Sequence, residues 1–208
     1  MRSLVCILIG YLLGSVSPAS LIGSIHNKDL RNCGTGNLGA TNTIIVMGKK
    51  LGFLVMALDI CKSYVAAKLA SALFSDFALA GLIAAWGAVI GHIYSVFLHF
   101  HGGKGVAALV GMILYYKPIF FFILAGFAIF LMLITNLGVV GPTSAAVLFP
   151  ALVYLDSGSL SMALVCAAAG FLILMSHMEN IRKIQAGDEI LVGTFLKKVL
   201  FSHIRSQN

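Results

Sequence analysis

Seven long apolar runs, separated by short polar breaks, limit this chain to a membrane-embedded helical fold. A helix needs about 20 apolar residues to cross the hydrocarbon core of a bilayer, with roughly 17 to 25 tolerated. The runs are Leu4–Ser24, Leu51–Phe74, Phe77–His99, Val106–Tyr116, Ile119–Thr135, Gly138–Leu155 and Leu160–Ser176. Only 10% of the residues are charged, against roughly 25% in soluble domains. The sequence therefore predicts an all-α polytopic membrane bundle of about seven transmembrane helices.

A single integral-membrane domain over residues 1–208 is expected, because no polar stretch is long enough to hold a second core. Residues 177–208 form a polar tail after the last run. The split between the fourth and fifth runs rests on Lys117–Pro118, since proline interrupts a helix. A five- or six-span count therefore stays open. Leu4–Leu13 also fits a signal peptide, but the seven-span count requires that this segment stays.

The positive charges are distributed unequally between the two faces that seven alternating spans create. One face carries ten Lys and Arg residues: Lys28, Arg31, Lys49, Lys50, Lys104, Arg182, Lys183, Lys197, Lys198 and Arg205. The other face carries Arg2 and Lys117. The positive-inside rule makes the first face cytoplasmic, with the N-terminus outside and the C-terminus inside. Membrane topology thus explains the net charge of +7 better than nucleic-acid binding does.

The first polar cluster is the stretch DLRNCGTGNLGATN, residues 29–42. Its glycines permit close backbone approach, and successive N–H groups in such loops form anion-binding nests. A flexible loop with a helix cap is the alternative. The candidate residues are Gly34, Thr35, Gly36, Asn37, Gly39 and Asn42.

The second cluster, HFHGGKG at residues 99–105, places Lys104 directly before the fourth run. Glycine backbone and one fixed cation at a helix start fit a bound phosphate, although the spacing is not that of a Walker A loop. Gly102, Gly103 and Gly105 are the accompanying candidates. A snorkelling lysine among packing glycines is the alternative.

The third cluster, SHMENIRKIQAGDE at residues 176–189, follows the last run. On a continuing helix His177 and Asn180 share one face, and a histidine can move protons near neutral pH. An ordinary amphipathic juxtamembrane helix is the alternative. Within the second run, Asp59 and Lys62 are three residues apart, and we interpret them as a structural pair that anchors the bundle. The four scattered cysteines indicate neither a metal site nor a disulfide framework.

These three motifs together resemble the bacterial acyl-phosphate:glycerol-3-phosphate acyltransferase family, PlsY. That family carries G[ST]GNxGATN, GHxxPxxxxFxGGKGVAT and HxENIxRLxxGxE in this order. They stand here as GTGNLGATN (34–42), GHIYSVFLHFHGGKGVAA (91–108) and HMENIRKIQAGDE (177–189). The resemblance extends over nearly the whole chain, including YLLGSVSPA at residues 11–19.

Several positions depart from the family pattern. Ile45 replaces an arginine, Ser95 a proline and Ala108 a threonine; Thr35 replaces a usual serine, and Ser176 and Lys183 replace arginines. Isoleucine cannot reproduce a bidentate phosphate contact, so a weaker phosphate grip is expected. Lys49, Lys50 and Arg31 are the candidates to compensate. The departures predict a divergent member with lower activity or a different acceptor.

The resemblance implies transfer of a fatty acyl group from acyl phosphate to the 1-hydroxyl of glycerol 3-phosphate, which gives lysophosphatidate and phosphate. It implies no cofactor and no metal, contact with membrane lipid of the bacterial inner membrane, and coupling to an enzyme that produces acyl phosphate. His177, Asn180, Lys104 and Thr35 are the expected catalytic residues, and Glu179 is expected to hold the tail in place. The glycines named above, with Asn37 and Asn42, are expected to bind substrate.

Two other classes stay open from the residues alone. A small anion or phosphate transporter would need polar residues through both halves of the membrane, and the outer ends of the runs offer few. A catalytically silent, lipid-binding paralogue is the third class, and Ile45 is its main support.

Overall fold

The computed structural model describes residues 1–189 and 191–201, apart from the side chains of 198–201, and this part of the chain is helical. The α-helices are α1 (Arg2–Ser15), α2 (Pro18–Ile25), α3 (Ala40–Met47), α4 (Lys49–Leu73), α5 (Ala80–Ile93), α6 (Val106–Tyr116), α7 (Pro118–Thr135), α8 (Val140–Ser157), α9 (Leu160–Ser176), α10 (Met178–Ala186) and α11 (Val192–Phe201). Short 3₁₀ turns lie at Leu30–Asn32 and Val96–Leu98.

All seven apolar runs are helical, the first as two helices, α1 and α2, so the all-α membrane fold is confirmed. By length and hydropathy, three segments of the described chain qualify as membrane spans: Arg2–Ile25, Ala80–Leu98 and Pro118–Thr135. A fourth qualifies if α9 and α10 count as one span bent by 40°. The helix after Ser176 is therefore not the straight continuation that the sequence indicated. Ile190 and residues 202–208 of the predicted tail, including Arg205, lie outside the described residues.

The first run is broken between α1 and α2. Pro18 begins α2, and the side chain of Ser17 caps it by accepting the N–H of Ser20 at 3.2 Å. Because proline cannot donate a backbone hydrogen bond, the break falls directly before it. The carbonyl oxygen of Val16 is thereby freed, and it accepts the Lys62 ammonium at 2.8 Å.

Small residues bring α1 and α5 into direct backbone contact. A Cβ added to Gly10 or Gly14 of α1 would overlap the backbone of Ala84 or Ala88 on α5. Membrane helices pack closely where small residues face one another. The main core lies between α5, α6, α8 and α9, with Leu109, Phe149 and Ile173 almost fully buried.

Two ion pairs lie on the face with few positive charges. Arg2 pairs with Asp76 at 2.6 Å, and Lys117 pairs with Asp156 at 2.5 Å. Each of these two cations is thus neutralised by a carboxylate from another part of the chain. The three motif clusters lie at the other end of the bundle.

Candidate functional site

The first motif loop is organised around the buried side chain of Asn42, which is 1% exposed. Its amide nitrogen donates to the carbonyls of Leu30 and Cys33 at 2.9 and 3.1 Å, and its oxygen accepts the Thr35 N–H at 2.7 Å. Gly34 has φ +63°, and a Cβ there would overlap the Asn42 oxygen. Asn42 therefore shapes the loop from inside, and its direct contact with substrate stays a prediction.

The glycine turn before Lys104 folds back onto the end of α5. The N–H groups of Gly102 and Gly103 donate to the carbonyls of Ile93 and His92, both at 2.9 Å. A Cβ on Gly103 would lie 3.0 Å from the Leu38 carbonyl oxygen and would overlap the His92 imidazole. The second motif thus contacts the first at Gly103, where only glycine fits.

A buried charge cluster lies behind this turn. Lys62 Nζ lies 2.7 Å from Asp59 Oδ1, and the two side chains are only 10% and 2% exposed. His92 Nδ1 lies 3.3 Å from the same carboxylate oxygen, at an angle outside hydrogen-bond geometry. Through this cluster, α4 and the α1–α2 break are connected to His92 of α5, which is the residue that packs on Gly103.

Lys104 connects the second motif with the third. Its ammonium donates to the side-chain oxygen of Asn180, and its backbone carbonyl accepts the Ser176 hydroxyl at 2.9 Å. Burial lowers the pKa of Lys104, while the carboxylates of Glu179 and Glu189 oppose this shift. The motif therefore presents a partly desolvated cation, held from two directions, at the start of α6.

His177 lies at the bend between α9 and α10 and is 4% exposed. Its Nδ1 lies 2.8 Å from the carbonyl oxygen of Ile173. A carbonyl only accepts, so Nδ1 carries the proton and Nε2 keeps the lone pair. Burial lowers the pKa of His177, and the Lys104 charge acts in the same direction. The imidazole is therefore neutral at physiological pH.

The acidic residues near Lys104 have different partners. Glu179 pairs with Lys183 one turn further along α10 at 2.6 Å, and this exposed pair lowers the pKa of Glu179. Glu189 instead accepts the amide N–H of Asn180 at 2.7 Å. The tail-holding role expected of Glu179 stays a prediction, and Glu189 is the acid that reaches the motif residues.

The geometry unites most of the expected site and adds residues that the sequence analysis did not select. Lys104, Asn180 and His177 lie together, and Gly103 touches the first loop; the side chain of Thr35 is exposed. Ser176, Ser95 and Glu189 are the additions. Ser95 donates to the Ser15 carbonyl at 2.6 Å, so two of the positions that depart from the family pattern, Ser95 and Ser176, donate hydrogen bonds to carbonyls far away in sequence. Among the described residues, no three His, Cys, Asp or Glu side chains are grouped to hold a metal.

The structure thus has neighbouring glycine turns, a half-buried lysine and a neutral histidine at one end of an apolar membrane bundle, and this chemistry suits an anionic ligand. Residues 4–187 match the family model for glycerol-3-phosphate acyltransferase. The chain is 35% identical to the glycerol-3-phosphate acyltransferase of Macrococcus caseolyticus, over 91% of this chain and 96% of that protein. It is 36% identical to that of Aquifex aeolicus, over 91% of this chain and 98% of that protein.

Solved structures give the same result. The chain resembles the crystal structure of PlsY (YgiH), an integral membrane glycerol 3-phosphate acyltransferase, in its glycerol 3-phosphate form. The TM-score is 0.87 at 30% identity, covering 97% of this chain and 100% of that one. The lysophosphatidic acid form gives a TM-score of 0.85 at 29% identity, with the same coverage. This chain belongs to the glycerol-3-phosphate acyltransferase family of integral membrane proteins.

Proposed function

We propose that this protein transfers a fatty acyl group from acyl phosphate to the 1-hydroxyl of glycerol 3-phosphate, with lysophosphatidate and phosphate as products. The observation that carries the proposal is the position of Lys104, which is tied to both Asn180 and Ser176 beside a glycine turn. Both substrates carry phosphate, and a partly desolvated ammonium is a strong hydrogen-bond donor to that group. The resemblance to a PlsY structure in its glycerol 3-phosphate form supports the same acceptor.

The reaction needs positioning more than activation. The hydroxyl oxygen attacks the acyl carbonyl carbon, the bond between that carbon and the phosphate oxygen breaks, and phosphate leaves with the electron pair. Lys104 neutralises the charge on phosphate, and the hydroxyl is held at the carbonyl by Asn180 and His177. The Nε2 lone pair of His177 is the protein's acceptor for the hydroxyl proton; the substrate's own phosphate is the other acceptor.

We also assign Thr35, Gly36, Asn37 and Gly39 to the phosphate side of the site. The first loop reaches the second through Leu38 and Gly103. Gly36 has φ +73°, which orients successive N–H groups differently from an extended strand. Gly102, Gly103 and Gly105 supply the opposite wall. The fatty chain then extends from this end of the bundle towards the hydrocarbon.

Chain organisation follows from the distribution of charge. The proposed arrangement is one domain in the bacterial inner membrane, with the N-terminus outside and the tail after Ser176 in the cytoplasm. The face that carries the motif loops also carries most of the Lys and Arg residues. Water-soluble glycerol 3-phosphate then enters from the cytoplasm, and an enzyme that produces acyl phosphate supplies the donor.

The test is turnover by the purified full-length protein. Labelled glycerol 3-phosphate is supplied with acyl phosphate, and in parallel with an acyl thioester, and labelled lysophosphatidate is measured. We expect labelled lysophosphatidate with acyl phosphate as donor and none with the acyl thioester. Lys104→Gln should lower kcat/KM about 10- to 100-fold, the size of a lost hydrogen bond to a charged group. Lys197→Gln is the matched control, because Lys197 is exposed and lies outside the motif contacts.

Other outcomes would identify the rival classes. Uptake of phosphate into vesicles without product would favour an anion transporter. A folded protein that shows neither uptake nor product would indicate a silent lipid-binding paralogue. Product with the thioester would retain the acyl transfer and reject acyl phosphate as the specific donor.

A further inference from the structure

The Asn180 side chain lies between two groups of opposite hydrogen-bonding character. Its oxygen accepts from the Lys104 ammonium, and its nitrogen donates to the Glu189 carboxylate. An ammonium only donates and an ionised carboxylate only accepts. A flipped amide would set NH₂ against the ammonium and oxygen against the carboxylate. Only one orientation of the amide therefore satisfies both neighbours.

We propose that Glu189 is a positioning residue for acyl transfer, which fixes the amide of Asn180 and through it the ammonium of Lys104. This inference rests on the proposed function. Glu189 contacts Asn180 and is not assigned a contact with either substrate, so its effect passes through Asn180. The nearer acid, Glu179, is already paired with Lys183 and exposed. The chain of contacts is therefore Glu189, Asn180, Lys104.

The segment that follows Glu189 is held by the turn between α7 and α8. The backbone oxygen of Asn136 accepts the Val192 N–H at 2.9 Å, and its side-chain oxygen accepts the Gly193 N–H at 2.9 Å. Leu137 and Leu191 form an isolated antiparallel bridge beside these bonds. This clamp fixes the start of α11, and with it the place from which Glu189 reaches back to Asn180.

Glu189 has two effects on the site, and they have opposite signs. Its hydrogen bond orders Asn180, which favours catalysis. Its negative charge near Lys104 opposes the approach of a phosphate, since like charges repel. Removal of the carboxylate should therefore lower kcat without weakening acceptor binding. A residue that merely kept the site folded would lower kcat and raise KM together.

The first experiment separates these two parameters. Glu189→Ala should lower kcat about 10- to 100-fold, the size of a lost hydrogen bond to a charged group, while KM for glycerol 3-phosphate stays equal or falls. Asp188→Asn is the matched control. Asp188 is the neighbouring residue and its side chain is exposed, so this change also removes one negative charge, and it should retain wild-type kcat. Equal kcat in Glu189→Ala and wild type, or a rise in KM with the fall in kcat, would overturn the proposal.

A complementary exchange tests the orientation directly. Asn180→Asp sets two carboxylates against each other, so it should be less active than wild type. Adding Glu189→Gln supplies an amide that can donate to the new carboxylate, and activity should rise above that of Asn180→Asp alone. A double variant no more active than the single one would refute the assigned direction of the hydrogen bonds.

The pair is also measurable without turnover. Heat stability of the purified protein is compared for Asn180→Ala, Glu189→Ala and the double variant. We expect the double variant to lose less than the sum of the single losses, because the second change removes a partner already lost. Additive losses would overturn the pairing. If the wild-type protein is inactive but the two single changes are not additive in heat stability, the proposed function is refuted and the Glu189–Asn180 contact is established.

Discussion

The buried pair Asp59 and Lys62 makes the sharpest prediction about stability. Asp59 is 2% exposed and Lys62 10% exposed at the side chain, and their charged atoms are 2.7 Å apart. Asp59→Asn removes the countercharge with little change of shape. Lys62 then keeps only the Val16 carbonyl at 2.8 Å. Breaking a buried pair from one side costs about 3–5 kcal/mol, so a loss near the lower end of that range is expected.

Removing both charges should cost less. In Asp59→Asn with Lys62→Met no buried ion is left alone, and the remaining penalty is the orphaned Val16 carbonyl, about 1–3 kcal/mol. Lys62→Met alone should be milder than Asp59→Asn, since His92 also faces the carboxylate at 3.3 Å. The free energy of unfolding is measured in mixed detergent micelles.

Lys68→Met is the control for this cycle, because Lys68 is an exposed lysine on the same helix. Its ammonium lies 5.7 and 5.8 Å from the ring centres of Tyr64 and Tyr115, contacts worth about 0.5–1 kcal/mol at an exposed site. If the double variant loses as much as the sum of the two single variants, the charges are not coupled and the structural role assigned to the pair is refuted.

Three further predictions concern activity. Burial lowers the pKa of His177 below 6.5, so the imidazole stays neutral as pH falls through that value. We therefore expect kcat at saturating substrate to decline only at lower pH. A decline centred above 6.5 would refute the role of His177 as the proton acceptor. Ile45→Arg should lower KM for glycerol 3-phosphate by restoring a bidentate phosphate donor; an unchanged KM would mean that the isoleucine is not a deficit. Gly103→Ala should raise KM for glycerol 3-phosphate, since a Cβ there overlaps His92 and presses on the Leu38 carbonyl. Gly126→Ala is the control, because open space surrounds Gly126, and its KM should not change. Equal KM values in the two variants would reject the close contact of the two loops.

The helical bundle was predictable because each span is a continuous apolar run that can be recognised from local sequence. An apolar run of sufficient length needs no partner to be recognised, so the bounds of α6 and α9 agree with the predicted runs to the residue. The break after Ser15 was harder to place, although Pro18 marks it. The short helix α3 and the terminal helix α11 were missed, since neither is a long apolar run.

The site was predictable as a set of motifs but not as a set of contacts. Glycine, lysine and histidine in ordered clusters indicate a phosphate site, yet spacing along the chain says nothing about which side chains meet. Ser176 lies 72 residues from Lys104 in sequence and still donates to its carbonyl. As departures from a family pattern, Ser176 and Ser95 read as losses; in three dimensions each is a hydrogen-bond donor. Arg31, a candidate to replace the missing arginine, is instead paired with Asp29 at 3.0 Å.

The glycine and alanine seam between α1 and α5 has a consequence for how a lipid reaches this protein. Backbone lies against backbone there, without the width of even one methylene chain between the helices. A fatty chain could enter here only by separating the two helices, which would remove the close packing of small residues that holds membrane helices together. For the proposed acyl transfer, the route of a fatty chain from the bilayer to Lys104 therefore passes between other helices, and the seam is a closed wall.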